Sequence, residues 1–181
     1  MSIRMTTPVS GFKGAFVDLV EPREDQSGKL KYGINLLIPK DHPYVKVVRA
    51  AIAEALQEKF GAAQPKKWRS PLKDGDEVDY DGFAGHWYFN AKTETKPQCV
   101  DAQMVNLHEK DELYSGAFYR ITANAAGYDH PKGGKGVSIY LNNVQKIKDG
   151  EFMGSRTTAE SDFDIVADDG VQEETAAGQN W

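Results

Sequence analysis

The segment Leu30 to Pro39 (LKYGINLLIP) sets Tyr32, Ile34, Leu36 and Ile38 in strict alternation with Lys31, Gly33, Asn35 and Leu37. A period of two becomes a single apolar face only when the backbone is extended, so this run is a strand that must find partners. Gly11 to Val20 (GFKGAFVDLV) is a second β-rich run, and the EPREDQSG between the two has the composition of a loop. Further strands are expected at Phe83 to Lys92, Ala117 to Ala126 and Gly136 to Ile147, with shorter extended pieces near Gln98 to Asp101 and Met104 to Leu107. Tyr128 to Lys135 (YDHPKGGK) has the turn chemistry that joins two strands as a hairpin. One helix is expected over residues 42–60, where Val45, Val48, Ile52, Ala55, Leu56 and Phe60 recur at three and four. Asp41 precedes it as N-cap, Pro43 occupies the first turn and Gly61 stops it. Five or more strands with one helix describe a mainly β chain, compatible with a small, partly open barrel of the OB type, although other α+β sheets fit the same pattern.

Charge divides the chain in two. After Arg156 there is no Lys or Arg, while Glu160, Asp162, Asp164, Asp168, Asp169, Glu173 and Glu174 are acidic. With seven of the 27 acids in that strip, the body sets all 22 bases against the remaining 20 acids and is mildly basic. The overall charge of −5 therefore averages two parts with opposite tendencies. The expected organisation is a domain over residues 1–156 and an acidic tail over residues 157–181. The tail has too little apolar surface to order itself, at least from Asp168 to Asn180. A lone Cys99, scattered histidines, short apolar runs and the absence of an apolar leader in Met1 to Pro8 point to a cytoplasmic protein with no membrane partner.

Enzymatic readings find little support. Asp74, Asp76, Glu77, Asp79 and Asp81 crowd one Gly-containing segment, and a metal-dependent nuclease or recombination enzyme using that cluster is the alternative to a binding protein. The spacing lacks the glycine and distal glutamate of a calcium loop, and a solvated acidic loop explains it better. The GGKG at Gly133 to Gly136 lacks the spacing of a phosphate loop, and Cys99 has no orienting partner. No catalytic residue, metal ligand or cofactor is expected.

Binding readings do better. Lys66, Lys67, Trp68, Arg69 and Lys73 place four cations and an indole within eight residues of the long segment Ala62 to Gly82, a loop of the length that is commonly functional. Cations neutralise phosphates while a ring stacks on an unpaired base; the alternative is that Trp68 covers a core edge. Alternation sends Phe118, Arg120, Thr122 and Asn124 to one face of their strand, with Ser138, Tyr140 and Asn142 outward on the next. His86, Tyr88, Asn90 and Lys92 likewise oppose Trp87, Phe89 and Ala91. Three strands thus offer a polar, aromatic and cationic surface suited to single-stranded nucleic acid. The expected phosphate contacts are Lys31, Lys66, Lys67, Arg69, Lys92, Lys96 and Arg120, and the expected stacking rings come from Trp68, Tyr88, Phe118 and Tyr140. Trp181, at the end of the strip that holds Asp168, Asp169, Glu173 and Glu174, reads as an anchor for a pocket on a partner protein or on the body of the chain itself.

Several ordered blocks carry a resemblance. Phe16 to Pro22 (F-x-x-L-x-E-P), Leu36 to Lys40 (LLIPK), Ser70 to Glu77, Tyr88 to Asp101, Glu112 to Asp129, Lys135 to Glu151 and Phe152 to Phe163 together resemble a family of bacteriophage single-stranded-DNA-binding proteins. The resemblance implies an OB-fold that coats single-stranded DNA in phage replication or recombination, in the host bacterial cytoplasm. It also implies an acidic, aromatic-ended tail that touches replication or recombination proteins. Whether the chain is a homo-oligomer is left open.

Overall fold

The computed structural model describes residues 2–153 and 163–166. Its strands are β1 (Ile3–Thr6), β2 (Phe12–Glu24), β3 (Leu30–Pro39), β4 (Lys73–Asp74), β5 (His86–Thr93), β6 (Gln98–Val100), β7 (Phe118–His130) and β8 (Gly134–Lys148), with the helix α1 at Tyr44–Phe60. β2 pairs with β3, β3 with β5, β5 in parallel with β8, β8 with β7, and β7 back with β2. That circuit closes a five-stranded barrel, the OB arrangement. β1 adds to β7 outside the ring, and β6 runs parallel to β8 beyond the point where β5 leaves it.

Alternation decides what fills the barrel. Ile34, Leu36 and Ile38 of β3, Phe89 and Ala91 of β5, Tyr119, Ile121 and Ala123 of β7, and Ile139 and Leu141 of β8 all point inward and are buried. The helix packs against β7, β1 and β8 and adds Val45, Val48, Ile52 and Leu56 to the same core. Its N-terminus differs from the expected Asp41 cap. Pro43 is the N-cap, with no side-chain bond of its own, and His42 Nδ1 accepts from the Tyr44 amide at 3.0 Å. Cys99 is buried, which pushes its thiol up to about 11 and leaves it in the unreactive protonated form.

Two other expectations are corrected. EPRE is not loop: β2 runs to Glu24, carried past two register shifts, between Ala15 and Asp18 and between Asp18 and Arg23, that alternation in the sequence cannot reveal. Met104 to Leu107 is not a strand, and only an isolated bridge joins Val100 to Asn106.

The long segment after the helix is stitched down rather than loose. Arg69 donates its amide to the Lys135 carbonyl at 2.9 Å and accepts from Val137 at 3.1 Å. β4 then pairs with β5. Lys40 Nζ grips Asp74 at 2.6 Å and Asp76 at 2.5 Å, and Asp76 also accepts from the Gly85 amide at 2.8 Å. These hydrogen bonds from Lys40 hold both carboxyls below their ordinary range. Between the stitches Phe83 plugs a second, smaller core on the outside of the barrel, made with Ala15 and Leu37 and flanked by Val78, Tyr88 and Met153. That cover explains why the outward-facing Leu37 is buried.

Candidate nucleic-acid interface

In barrels of this topology the face of the second and third barrel strands, with the loops between strands one and two and between four and five, is the usual oligonucleotide platform. Here those strands are β3 and β5. A groove of about 690 Å³ crosses them onto β8. Asn35, Tyr88, Asn90, Lys92 and Ser138 are among the residues that line it from these strands. Arg69, Ser70, Pro71 and Lys73 of the stitched segment also line it, as do Phe16, Tyr80 and Phe83. Asn90 and Lys92 lead on into a pocket with Asp18, Arg23 and Lys31, and Lys31 and Lys92 into another with Tyr140. The register explains the second step, because Gly33 lies beside Lys92 and Lys92 beside Tyr140.

The rings form a chain. Phe16 meets Tyr80 edge-on at 5.0 Å, Tyr80 meets Phe83 at 5.2 Å, and Phe83 meets Tyr88 at 4.9 Å. Phe83 is buried, but Phe16 and Tyr80 remain 43% and 51% exposed, so each offers ring surface to a ligand. Phe16 sits in the first register shift of β2 with φ of 47°. A bulky residue rarely adopts this left-handed geometry, and such strain gathers at functional positions. Tyr88 has its phenol pushed up by burial and by the neighbouring Tyr80 and Glu77, so it stays neutral.

The charges are arranged for an anion along the groove. Among the described residues Arg69, Lys73 and Lys92 enter no ion pair. Lys31 pairs with Asp25 at 3.0 Å, and Asp25 is held well below the ordinary carboxyl range by the Ser27 hydroxyl and by Lys31. At the groove's end burial pushes the Asp18 carboxyl up, against the pull of Arg23 at 3.3 Å.

The residues expected from sequence divide accordingly. Arg69, Tyr88 and Lys92 line the main groove, and Lys31 and Tyr140 line its extensions. Lys66, Lys67 and Trp68 are exposed on the approach to Arg69 without lining the groove, Trp68 being 37% exposed. Lys96 lines a different cleft with Pro97, Gln98 and Leu107. Phe118 lies between Lys13 and Lys148, whose ammonium groups are 5.8 and 4.5 Å from its ring centre. Arg120 donates Nε to the Thr7 carbonyl at 3.0 Å and so ties β7 to the chain after β1. Asp168, Asp169, Glu173, Glu174 and Trp181 lie outside the described residues. Sequence reasoning passed over Phe16 and Tyr80 as site residues. The only signal for Phe16 was its place at the head of the F-x-x-L-x-E-P block.

The acidic cluster does not form a metal site. Asp74 and Asp76 are taken up by Lys40, and among the described residues no group of three or more His, Cys, Asp or Glu has metal-binding geometry.

Comparison with known proteins bears on the family and the fold. Residues 9–176 match a family described as Enterobacter phage Enc34, ssDNA-binding protein. The putative protein p50 of Acyrthosiphon pisum secondary endosymbiont phage 1 is 33% identical over 176 residues, covering 90% of this chain and 95% of that protein. Among solved structures, the single-stranded DNA-binding protein from bacteriophage Enc34 superposes with a TM-score of 0.71 at 24% identity, over 90% of this chain and 98% of that one. The Enc34 protein in complex with ssDNA gives 0.67 at 24% identity, over 83% and 89%. Gp2.5, a single-stranded DNA binding protein encoded by bacteriophage T7, gives 0.64 at 15% identity, over 92% and 100%. The three structures share the fold.

Proposed function

Because the chain belongs to the Enc34 single-stranded-DNA-binding family of phage proteins, we propose that it binds single-stranded DNA along the β3, β5 and β8 groove, without catalysis and with little regard to sequence. The observation that carries this reading is the juxtaposition, in one continuous groove, of the exposed rings Phe16 and Tyr80 with Arg69, Lys73 and Lys92, which enter no ion pair among the described residues. Backbone phosphates meet the cations and unstacked bases meet the rings, and neither contact depends on base identity. Lys31 and Tyr140 extend the path, while Lys66, Lys67 and Trp68 receive the strand on the side of Arg69.

The role that family membership supports is coating and protecting single strands exposed in phage replication or recombination, within the host cytoplasm. The strip 157–181, with seven acids and no base, competes with DNA for the same cations and offers Trp181 to a replication or recombination protein. Deleting residues 157–181 is expected to tighten oligonucleotide binding and to weaken capture of such a partner; unchanged values for both would remove the tail from the account.

A salt titration of oligo-dT affinity tests the groove. With four to six cations engaged, log affinity is expected to fall against log salt with a slope of about −3 to −4, at about −0.7 per neutralised phosphate. A flat titration contradicts phosphate binding in the groove.

A further inference from the structure

The row of residues that leaves the groove does not stop at Tyr140. Lys92 of β5 lies beside Tyr140 of β8, Tyr140 is paired with Asn124 of β7, and Asn124 is paired with Arg4 of β1. Directly paired residues on neighbouring strands send their side chains to the same face of a sheet. Here that face is the outer one, because residues next to them in sequence, Ala91, Ile139, Ala123 and Met5 among them, are buried in the core. Tyr140 is 48% exposed, and Arg4 is exposed and enters no ion pair among the described residues. Asn124 is held between the two, accepting from the Asn142 amide at 2.9 Å and donating to the Ser2 hydroxyl at 3.0 Å. Ser138, Asn142, Thr122 and Thr6 flank the row on the same face, and none of them is a carboxylate. Glu94, at the β5 end, is paired with Lys29 at 3.5 Å. Three strand spacings separate Lys92 from Arg4, roughly 14 Å, or about two to four nucleotides of a single strand.

From this row we infer, on the single-strand reading above, that Arg4 is a phosphate contact for a strand that leaves the groove over Tyr140 and crosses β8 and β7 to reach β1. Tyr140 offers its ring to a base at the groove's exit. Asn124 supplies a polar floor with no negative charge to repel the backbone, and Arg4 presents a fork of donors to a phosphate. β1, which lies outside the barrel ring, thereby becomes part of the binding surface.

The test uses anisotropy titrations of the full chain and its Arg4→Gln, Arg4→Lys and Lys148→Gln variants against oligo-dT of about 5 and about 12 nucleotides. Lys148 is the charge-matched control, since it sits over Phe118, about 20 Å along β7 from Asn124. Arg4→Gln is expected to lose about two- to fivefold on the longer strand at low salt, the range for one solvent-exposed ion contact, and to flatten the log–log salt slope by about 0.7. The shorter strand stays within the groove and should bind Arg4→Gln and the wild type alike. Arg4→Lys keeps the charge and should recover most of the loss, while Lys148→Gln should match the wild type on both lengths. An equal loss on both lengths, no loss on either, or the same loss from Lys148→Gln overturns the inference while leaving single-strand binding in place. A wild-type chain that binds neither oligonucleotide overturns the single-strand reading and this inference with it.

Discussion

Phe16→Ala is expected to weaken binding of a short oligo-dT by about five- to a hundredfold, the range that corresponds to losing one base-stacking ring. Phe16 is exposed, touches Tyr80 and Phe83, and is held at φ of 47° by the register shift in β2. The strained backbone presents the ring; it does not fill the core. Phe16→Gly separates the two effects. Glycine accepts positive φ without steric cost, so the melting temperature should hold or rise even as affinity falls by the same factor. Calorimetry and anisotropy on the two variants check this. A Phe16→Ala chain that binds like the wild type would show that bases do not reach this ring.

Gly75→Ala is expected to carry the larger cost in stability. A Cβ on Gly75 would lie 2.0 Å from the Phe83 carbonyl oxygen and 2.6 Å from that of His86. Both are backbone atoms, so no side-chain rotation relieves the overlap. The turn of residues 75–77 must lift, breaking the Lys40 grip on Asp74 and Asp76 and drawing Phe83 out of the cluster it forms with Ala15 and Leu37. Forced overpacking of this kind costs about 3 kcal/mol or more, or roughly 6–12 °C in melting temperature for a domain of this size. Oligonucleotide affinity should fall with it, because the same segment contributes Arg69, Lys73 and Tyr80 to the groove. Melting within a degree of the wild type would mean that the segment is not clamped as described.

What the sequence reveals and what it conceals have distinct physical causes. β3 is legible to its end residues because its period of two is unbroken, and Tyr88, Lys92 and Tyr140 are legible as outward residues for the same reason. β2 is not. Its shifts add residues on one strand only, so alternation fails where Phe16 turns out toward the groove, and Arg23 and Glu24 look like loop while pairing with Lys31 and Leu30. Asp41 has the chemistry of a cap, but the imidazole of His42 reaches the first helical amide instead. The segment Ala62 to Gly82 reads as loose because its fasteners are remote: the Lys40 ammonium, the backbone of Lys135 and Val137, and the small core built around Phe83. Tyr80 joins the site only through that packing. Phe118 and Arg120 show the opposite limit. They point outward as alternation requires, yet Phe118 lies six residues along β7 from Asn124, the partner of Tyr140, a distance of about 20 Å. Facing out of a barrel does not place a residue on one particular side of it.

A competition titration tests directly whether the groove receives bases free of a partner strand. The full chain, held on a labelled oligo-dT, is challenged with unlabelled single-stranded and duplex DNA of equal length at one fixed salt concentration. Rings such as Phe16 and Tyr80 gain nothing from bases already stacked and paired, so the single strand is expected to displace the label at about a tenth of the duplex concentration or less. Equal or better competition by the duplex would contradict the account.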